Sequence, residues 1–286
     1  MKIGRYAAPA DGRFRLARID PDAHGSIASK RGAEALLARG IERLRRLQEI
    51  LYAQDRWGVL LILQAMDTAG KDGAIEHVMS GVNPQGCRVV SFKRPSAEEL
   101  DHDYLWRAVR ELPARGEIGI FNRSYYEEVL VVRVHADVLQ AQKLPPALVT
   151  RKIWDQRYED INAFEKYLSR NGYIVRKVFL HISKEEQRKR LLARLDDPDK
   201  RWKFEEGDLA ERALWKGYMT AYEDAIRATS TKYAPWYVVP ADHKWFARLV
   251  VANVLIDALE SVRLSYPTVD AKRTRLLSSL RRKLSS

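Results

Sequence analysis

Cysteine is nearly absent from this 286-residue chain: Cys87 stands alone, which excludes an intrachain disulfide. Long apolar runs are missing too, so no segment reads as a bilayer-spanning helix. The first residues are polar and charged, unlike a secretory leader. Together these absences favour a cytoplasmic protein with no membrane partner. The six histidines (24, 77, 102, 135, 181 and 243) form no HxxxH or HExxH pair, so no zinc site is legible. There is no G-x-S-x-G elbow for an acyl nucleophile, no internal repeat and no aromatic–basic RNA motif. What is present suits an ordered enzyme-sized domain: 46% hydrophobic and 31% charged residues. The net charge of +12 implies attraction to polyanions such as phosphate chains, nucleic acid or anionic membrane. Part of that charge sits at the C-terminus (Lys272, Arg273, Arg275, Arg281, Arg282, Lys283), where it reads as a solvated tail over 264–286.

The stretch Val59 to Gly73, VLLILQAMDTAGKDG, is the most informative. From Val59 to Ala65 only Gln64 is polar, which suits a strand buried on both faces. A small-residue turn follows, and Lys71 opens a segment with helical spacing at Ile75, Val78 and Met79. Strand, turn, lysine and helix make a phosphate cradle, in which Ala69, Gly70, Asp72 and Gly73 bring backbone near the anion. The strict G-x-x-x-x-G-K-[ST] pattern is not met: Ala65 replaces the first glycine and Asp72 the final Ser or Thr. The competing reading is an ordinary strand–helix turn with a lysine at its lip. Asp67 is the unusual element, because a carboxylate among phosphate-binding amides repels the ligand unless a cation intervenes. It reads as a magnesium ligand or a base.

The rest of the chain alternates. Residues 1–30 read as an arm lying on the surface, and 31–54 as an amphipathic helix whose basic face (Arg39, Arg43, Arg45, Arg46) is solvated. A second strand spans 87–92 and ends on Lys93 and Arg94, a candidate anion grip at a strand's C-terminal end. Ser96 and Glu99 open a helix to about Arg110. A third strand, 117–121, runs into Asn122, Arg123, Ser124, Tyr125, Tyr126, Glu127 and Glu128, the place for a Walker-B-like metal site. A helix over 146–170, a strand over 173–182 and a capping box at Ser183 and Glu186 follow. The next helix carries Arg190 and Arg194 on one face, and its loop carries Lys200, Arg201 and Lys203. This segment, 183–207, reads as a lid closing over phosphates. A helix over 208–228, a fifth strand over 236–240 and a helix over 244–262 complete a single domain. The expected fold is α/β: a parallel five-stranded sheet with helices on both faces and a helical lid.

In combination, AMDTAGKDG (65–73), SFKRPSAEEL (91–100), IGIFNRSYYEEVLVV (118–132), residues 183–203 and APWYVVPADHKW (234–245) resemble the polyphosphate kinase 2 family. The resemblance covers nearly everything after about Leu36. It implies a P-loop kinase fold and magnesium-dependent phosphoryl transfer between inorganic polyphosphate and nucleotides (AMP, ADP, ATP). Asp67 and Lys71 match the family's loop residues, Arg123 the arginine of the second motif, and Arg190 and Arg194 the lid arginines. Asn122 stands where many members carry Asp, and the form with Tyr-Tyr and two acids resembles the subgroup that phosphorylates both AMP and ADP. With that Asp missing, Glu128, with Glu127 as the alternative, is expected to join Asp67 as metal ligand, while Asn122 and Glu127 serve the acceptor nucleotide. Lys93, Arg94 and Lys203 are expected to follow the polyphosphate chain, and a homo-oligomer is expected. The rivals are an ATP-dependent nucleoside monophosphate kinase and, more distantly, a nucleic-acid-binding module.

Overall fold

A computed structural model describes residues 1–27 and 29–285. Position 28, in the expected arm, and position 286, in the expected tail, lie outside the described residues. Five strands form one parallel sheet: β1 (Gly58–Ala65), β2 (Cys87–Ser91), β3 (Ile118–Asn122), β4 (Tyr173–His181) and β5 (Trp236–Pro240). Their order is β2-β3-β1-β4-β5, so the chain leaves β1 for one edge and later returns to its other side. Open α/β sheets bind ligands at the strand ends beside such a reversal. β1 is buried at every residue, as its apolar run requires.

The long helices are α1 (Lys30–Gln54), α2 (Lys71–Met79), α3 (Ile153–Arg170), α4 (Lys184–Asp196), α5 (Trp215–Thr229), α6 (Lys244–Glu260) and α7 (Ala271–Leu284). Successive residues of a strand point to opposite faces, and β4 shows both coverings. Arg176 reaches Asp257 and Ser261 at the end of α6, whereas Lys177 reaches Glu165 of α3. α1 and α2 pack beside α6, and α5 packs beside α3.

The N-terminal arm is not a surface strap. Ile3, Phe14 and Leu16 are buried, the Ala8 amide donates to the Trp236 carbonyl at 2.8 Å, and Ala7 bridges Tyr237. The arm covers the outer edge of β5, whose backbone groups would otherwise stand open to a foreign strand. Three expected helices are shorter or broken. After Ser96 the capping box forms, but the helix stops at Leu100, because the Asp103 carboxylate accepts from the Leu105 amide at 2.9 Å. The helix expected from 146 begins at Ile153, and Leu214 interrupts the one expected over 208–228. The second capping box is half-made: Asp242 takes the Ser183 amide at 2.7 Å, and Glu186 turns to Arg190. The basic tail is helical in α7, capped by Asp270, and buries none of its residues.

Candidate active site

Loop 66–70 joins the fully buried central strand β1 to α2. Two of its residues, Thr68 (φ 63°) and Gly70 (φ 105°), adopt the left-handed conformation, which turns the backbone sharply into the helix. At Gly70 any side chain would be strained. Lys71 opens α2, and its Nζ donates to the Ala65 carbonyl at 2.9 Å, folding the ammonium back over the loop. Burial pushes this amine below the ordinary lysine range, against the pull of Asp67, Glu127 and Asp72. The Thr68 hydroxyl is buried without a partner, and so is the Gln64 side-chain carbonyl at the end of β1. Buried polar atoms without partners are uncommon and call for something that completes them.

The second motif meets this loop from β3. The Arg123 amide still donates to Leu63 across the sheet at 3.0 Å, while its φ of 65° swings the side chain off the strand line. Strained conformations at non-glycine residues concentrate at functional sites. The guanidinium reaches the Asp67 carboxylate at 3.3 Å. Asn122 donates to the Asp72 carboxylate at 2.6 Å, which ties β3 to the first turn of α2. A carboxylate at 122 would face Asp72 with like charge. The asparagine and the departure from Ser/Thr at 72 are thus two halves of one contact.

The adjacent acids point to different places. Burial raises the Glu127 carboxyl, and Arg123 and Lys71 oppose that rise, so Glu127 belongs to the phosphate-loop cluster. Glu128 is 4% exposed and accepts from Arg157 Nε at 3.0 Å and Gln142 Nε2 at 2.7 Å. The expectation that Glu128 completes the metal site with Asp67 does not fit this placement. One oxygen ties the motif to α3 through Arg157 and the other to Gln142 ahead of that helix, and Glu127 is the acid that feels the charge of Asp67.

Comparison with known proteins identifies the family. The family model for polyphosphate kinase 2 matches residues 27–266. The ADP-polyphosphate phosphotransferase of Rhodopseudomonas palustris is 53% identical over 93% of this chain and 91% of its own. The AMP/ADP-polyphosphate phosphotransferase of Meiothermus ruber is 49% identical over 92% of this chain and 95% of its own. The crystal structure of polyphosphate kinase 2 from Arthrobacter aurescens TC1 superposes with a TM-score of 0.87 at 44% identity, covering 96% of this chain and 95% of that one.

The chain belongs to the polyphosphate kinase 2 family.

In this member of the family the two arginines of α4 divide in role. Arg190, 9% exposed, places Nε on Glu186, Nη1 on the Thr68 and Ala69 carbonyls and Nη2 on the Ala241 and Asp242 carbonyls, all within 3.1 Å. An arginine has five N–H groups, and here all five have acceptors. The expectation that Arg190 closes with the lid over phosphates therefore gives way: it clamps the loop backbone from behind. Arg194 uses only Nη1, toward the Lys203 carbonyl at 3.0 Å and Asp208 at 3.4 Å, which leaves donors for a ligand. Lys93 and Arg94 are exposed beyond β2, and neither ends in an ion pair among the described residues. Lys203 is exposed, with its ammonium 5.0 Å from the Trp202 ring centre.

The fold adds residues that sequence reasoning missed. Tyr218 and Tyr222 lie one turn apart on α5; burial raises both hydroxyls, then the hydrogen bond to Glu211 for Tyr218, and the charges of Glu127 and Asp67 act on both. Lys244 and Arg248 approach the loop from α6: the Lys244 chain would lie 3.9 Å from a Cβ at Gly70, and Arg248 3.4 Å from one at Gly73. Lys244 falls within the segment 234–245 that carries the resemblance. Nothing local distinguishes the tyrosines from core residues.

Proposed function

We propose that this chain transfers phosphoryl groups between inorganic polyphosphate and AMP or ADP, reversibly, forming ADP or ATP. One observation carries the reading: Lys71, Arg123, Asp67 and Glu127 converge at the C-terminal ends of β1 and β3, beside a loop whose Thr68 hydroxyl lacks a partner. The names of the Rhodopseudomonas palustris and Meiothermus ruber relatives support the substrates.

Phosphoryl transfer needs positioning and charge neutralisation more than covalent chemistry. Lys71 and Arg123 neutralise the transferring group, with the amides of Ala69, Gly70, Asp72 and Gly73 around it. Arg190 fixes the loop, and Arg194 closes from the lid. Lys93, Arg94 and Lys203 follow the chain of the donor. The acceptor phosphate is already an oxyanion at neutral pH, so it needs no strong general base. Asn122 holds α2 through Asp72, and Glu127 faces the acceptor.

The residues fit magnesium. Among the described residues no group of three or more His, Cys, Asp or Glu gathers around a common point. Asp67 and Glu127 remain as two oxygen donors that feel each other's charge. Magnesium is commonly held by one or two carboxylates together with water and substrate phosphates. When bound, it would neutralise phosphate charge between these acids and the donor.

Among the described residues no helix is long and apolar enough to cross a membrane. We place the enzyme in the cytoplasm, consistent with its single thiol, and as a homo-oligomer, consistent with the exposed leucines of α7. The deciding assay supplies polyphosphate with AMP or ADP and no ATP. Formation of ADP and ATP is expected. A nucleoside monophosphate kinase would stay silent until ATP is added, and a nucleic-acid module would show only salt-dependent oligonucleotide binding.

A further inference from the structure

Trp202 is 76% exposed, whereas the other six tryptophans are buried or half-buried. It sits on the lid, in the turn between α4 and residue 207, and that turn is well tied down. The indole Nε1 donates to the Asp199 carbonyl at 3.0 Å. Arg194 holds the Lys203 carbonyl, Arg201 Nε holds the Leu195 carbonyl at 2.7 Å, and the Lys200 amide closes on Asp197 at 2.9 Å. A fixed turn is presenting the ring. The Lys203 ammonium lies 5.0 Å from the ring centre on one side, and the exposure shows that the ring is otherwise open to solvent.

The turn is joined to the phosphate loop through α4. Arg190 roots α4 in the phosphate loop. Asp208, which Arg194 joins to the turn, feels the charge of Asp67, and Lys244, beside Gly70, feels that of Lys200. An aromatic face set among Lys200, Arg201 and Lys203 suits a flat, π-rich ligand that also carries phosphates. Polyphosphate has no apolar part to set against an indole, but a nucleotide has a base.

We propose that the open face of Trp202 is the stacking platform for the base of the acceptor nucleotide, engaged when the lid closes with the nucleotide's phosphates at Lys71 and Arg123. The proposal rests on the phosphotransferase reading. Stacking on an aromatic side chain accepts any base and favours the larger purines.

The test is calorimetric titration of the full chain with ADP and with CDP in magnesium, alongside kinetics with polyphosphate, for the parent, Trp202→Ala and Trp202→Phe. Trp202→Ala is expected to weaken ADP binding and raise its KM about tenfold or more. The KM for polyphosphate should stay within about twofold, Trp202→Phe should recover most of the loss, and the ADP-over-CDP preference should shrink in the Ala variant. Equal ADP affinity in parent and Trp202→Ala overturns the proposal. So does a rise confined to the KM for polyphosphate, or a change in sedimentation that accounts for the loss through altered assembly. If the parent binds ADP but makes no ATP from polyphosphate, the phosphotransferase reading fails, and the titrations still decide the platform.

Discussion

Two clusters of cations and carboxylates lie on either side of the second motif, and they differ in completeness. Behind it, Lys177 and Glu165 are both 0% exposed. Lys177 Nζ donates to Glu165, to the Thr229 carbonyl at 2.7 Å and to the Tyr126 hydroxyl at 3.0 Å. Glu165 in turn accepts from the Tyr125 and Tyr126 hydroxyls at 2.9 Å each. All three ammonium protons have acceptors, so the cluster is closed. In front, Lys71 has a single carbonyl acceptor at 2.9 Å and Asp67 one arginine at 3.3 Å, with the Thr68 hydroxyl orphaned nearby. The first arrangement holds the Tyr-Tyr turn in place. The second is incomplete without a ligand, and this incompleteness, rather than the presence of charge, marks a site.

The largest expected effect lies in the closed cluster. Lys177→Ala strands the Glu165 carboxylate in the core and should cost about 3–5 kcal/mol of unfolding free energy by urea denaturation. A Lys177→Met, Glu165→Leu double variant, which removes both charges, should recover much of that. If the single variant is as stable as the parent, the contrast fails on its structural side.

On the open side, Lys71→Ala should lower kcat by about 3 kcal/mol of barrier, over a hundredfold, with the urea midpoint nearly unchanged. Near-normal turnover with polyphosphate would remove the cradle from the mechanism.

His181 sharpens the comparison as a buried group with neither closed partners nor a substrate. Burial pushes its imidazole down to about 4, against Asp242 and the Ile19 backbone. The unfolded chain takes up this proton near the ordinary histidine value of about 6.5, before the folded state does. Stability present above about pH 6.5 is therefore lost as pH falls toward 4, at most about 3 kcal/mol. Urea midpoints for the parent and for His181→Asn across this range should diverge in slope, the variant being flatter; parallel curves would contradict the assignment.

The smallest contrast separates neighbours. Glu128→Gln should lower stability by about 1–3 kcal/mol, since Arg157 loses the nearer of its two anionic partners, with little change in the magnesium concentration needed for half-activity. Glu127→Gln should leave stability alone and raise that requirement. Glu127→Ala should hurt AMP use more than ADP use, read as the ratio of the two kcat/KM values. If magnesium dependence follows Glu128 instead, the two acids exchange roles.

These neighbours show where sequence reasoning ends. Glu127 and Glu128 are chemically identical and adjacent, and nothing local says that Arg157, 29 positions on, claims one of them. Arg190 and Arg194 share a helical face by spacing, yet one meets four carbonyls supplied by two separate loops, besides Glu186 of its own helix, and the other keeps free donors. The arm offered no periodicity from which its burial against β5 could be inferred.

By itself the sequence determined the five strands, the alternation with helices, the phosphate loop with Lys71 at a helix start, and the placing of Arg123 just beyond a buried strand. Those features follow from short-range patterns: apolar runs, 3.6-residue spacing, and glycine where the backbone must turn. Only the tertiary structure decided which acid faces the loop, which arginine is a clamp, how Asn122 and Asp72 complement one another, and which edge the arm covers. A side chain's partner is set by elements distant in sequence, and whether its hydrogen-bonding groups are satisfied is a property of the packed whole.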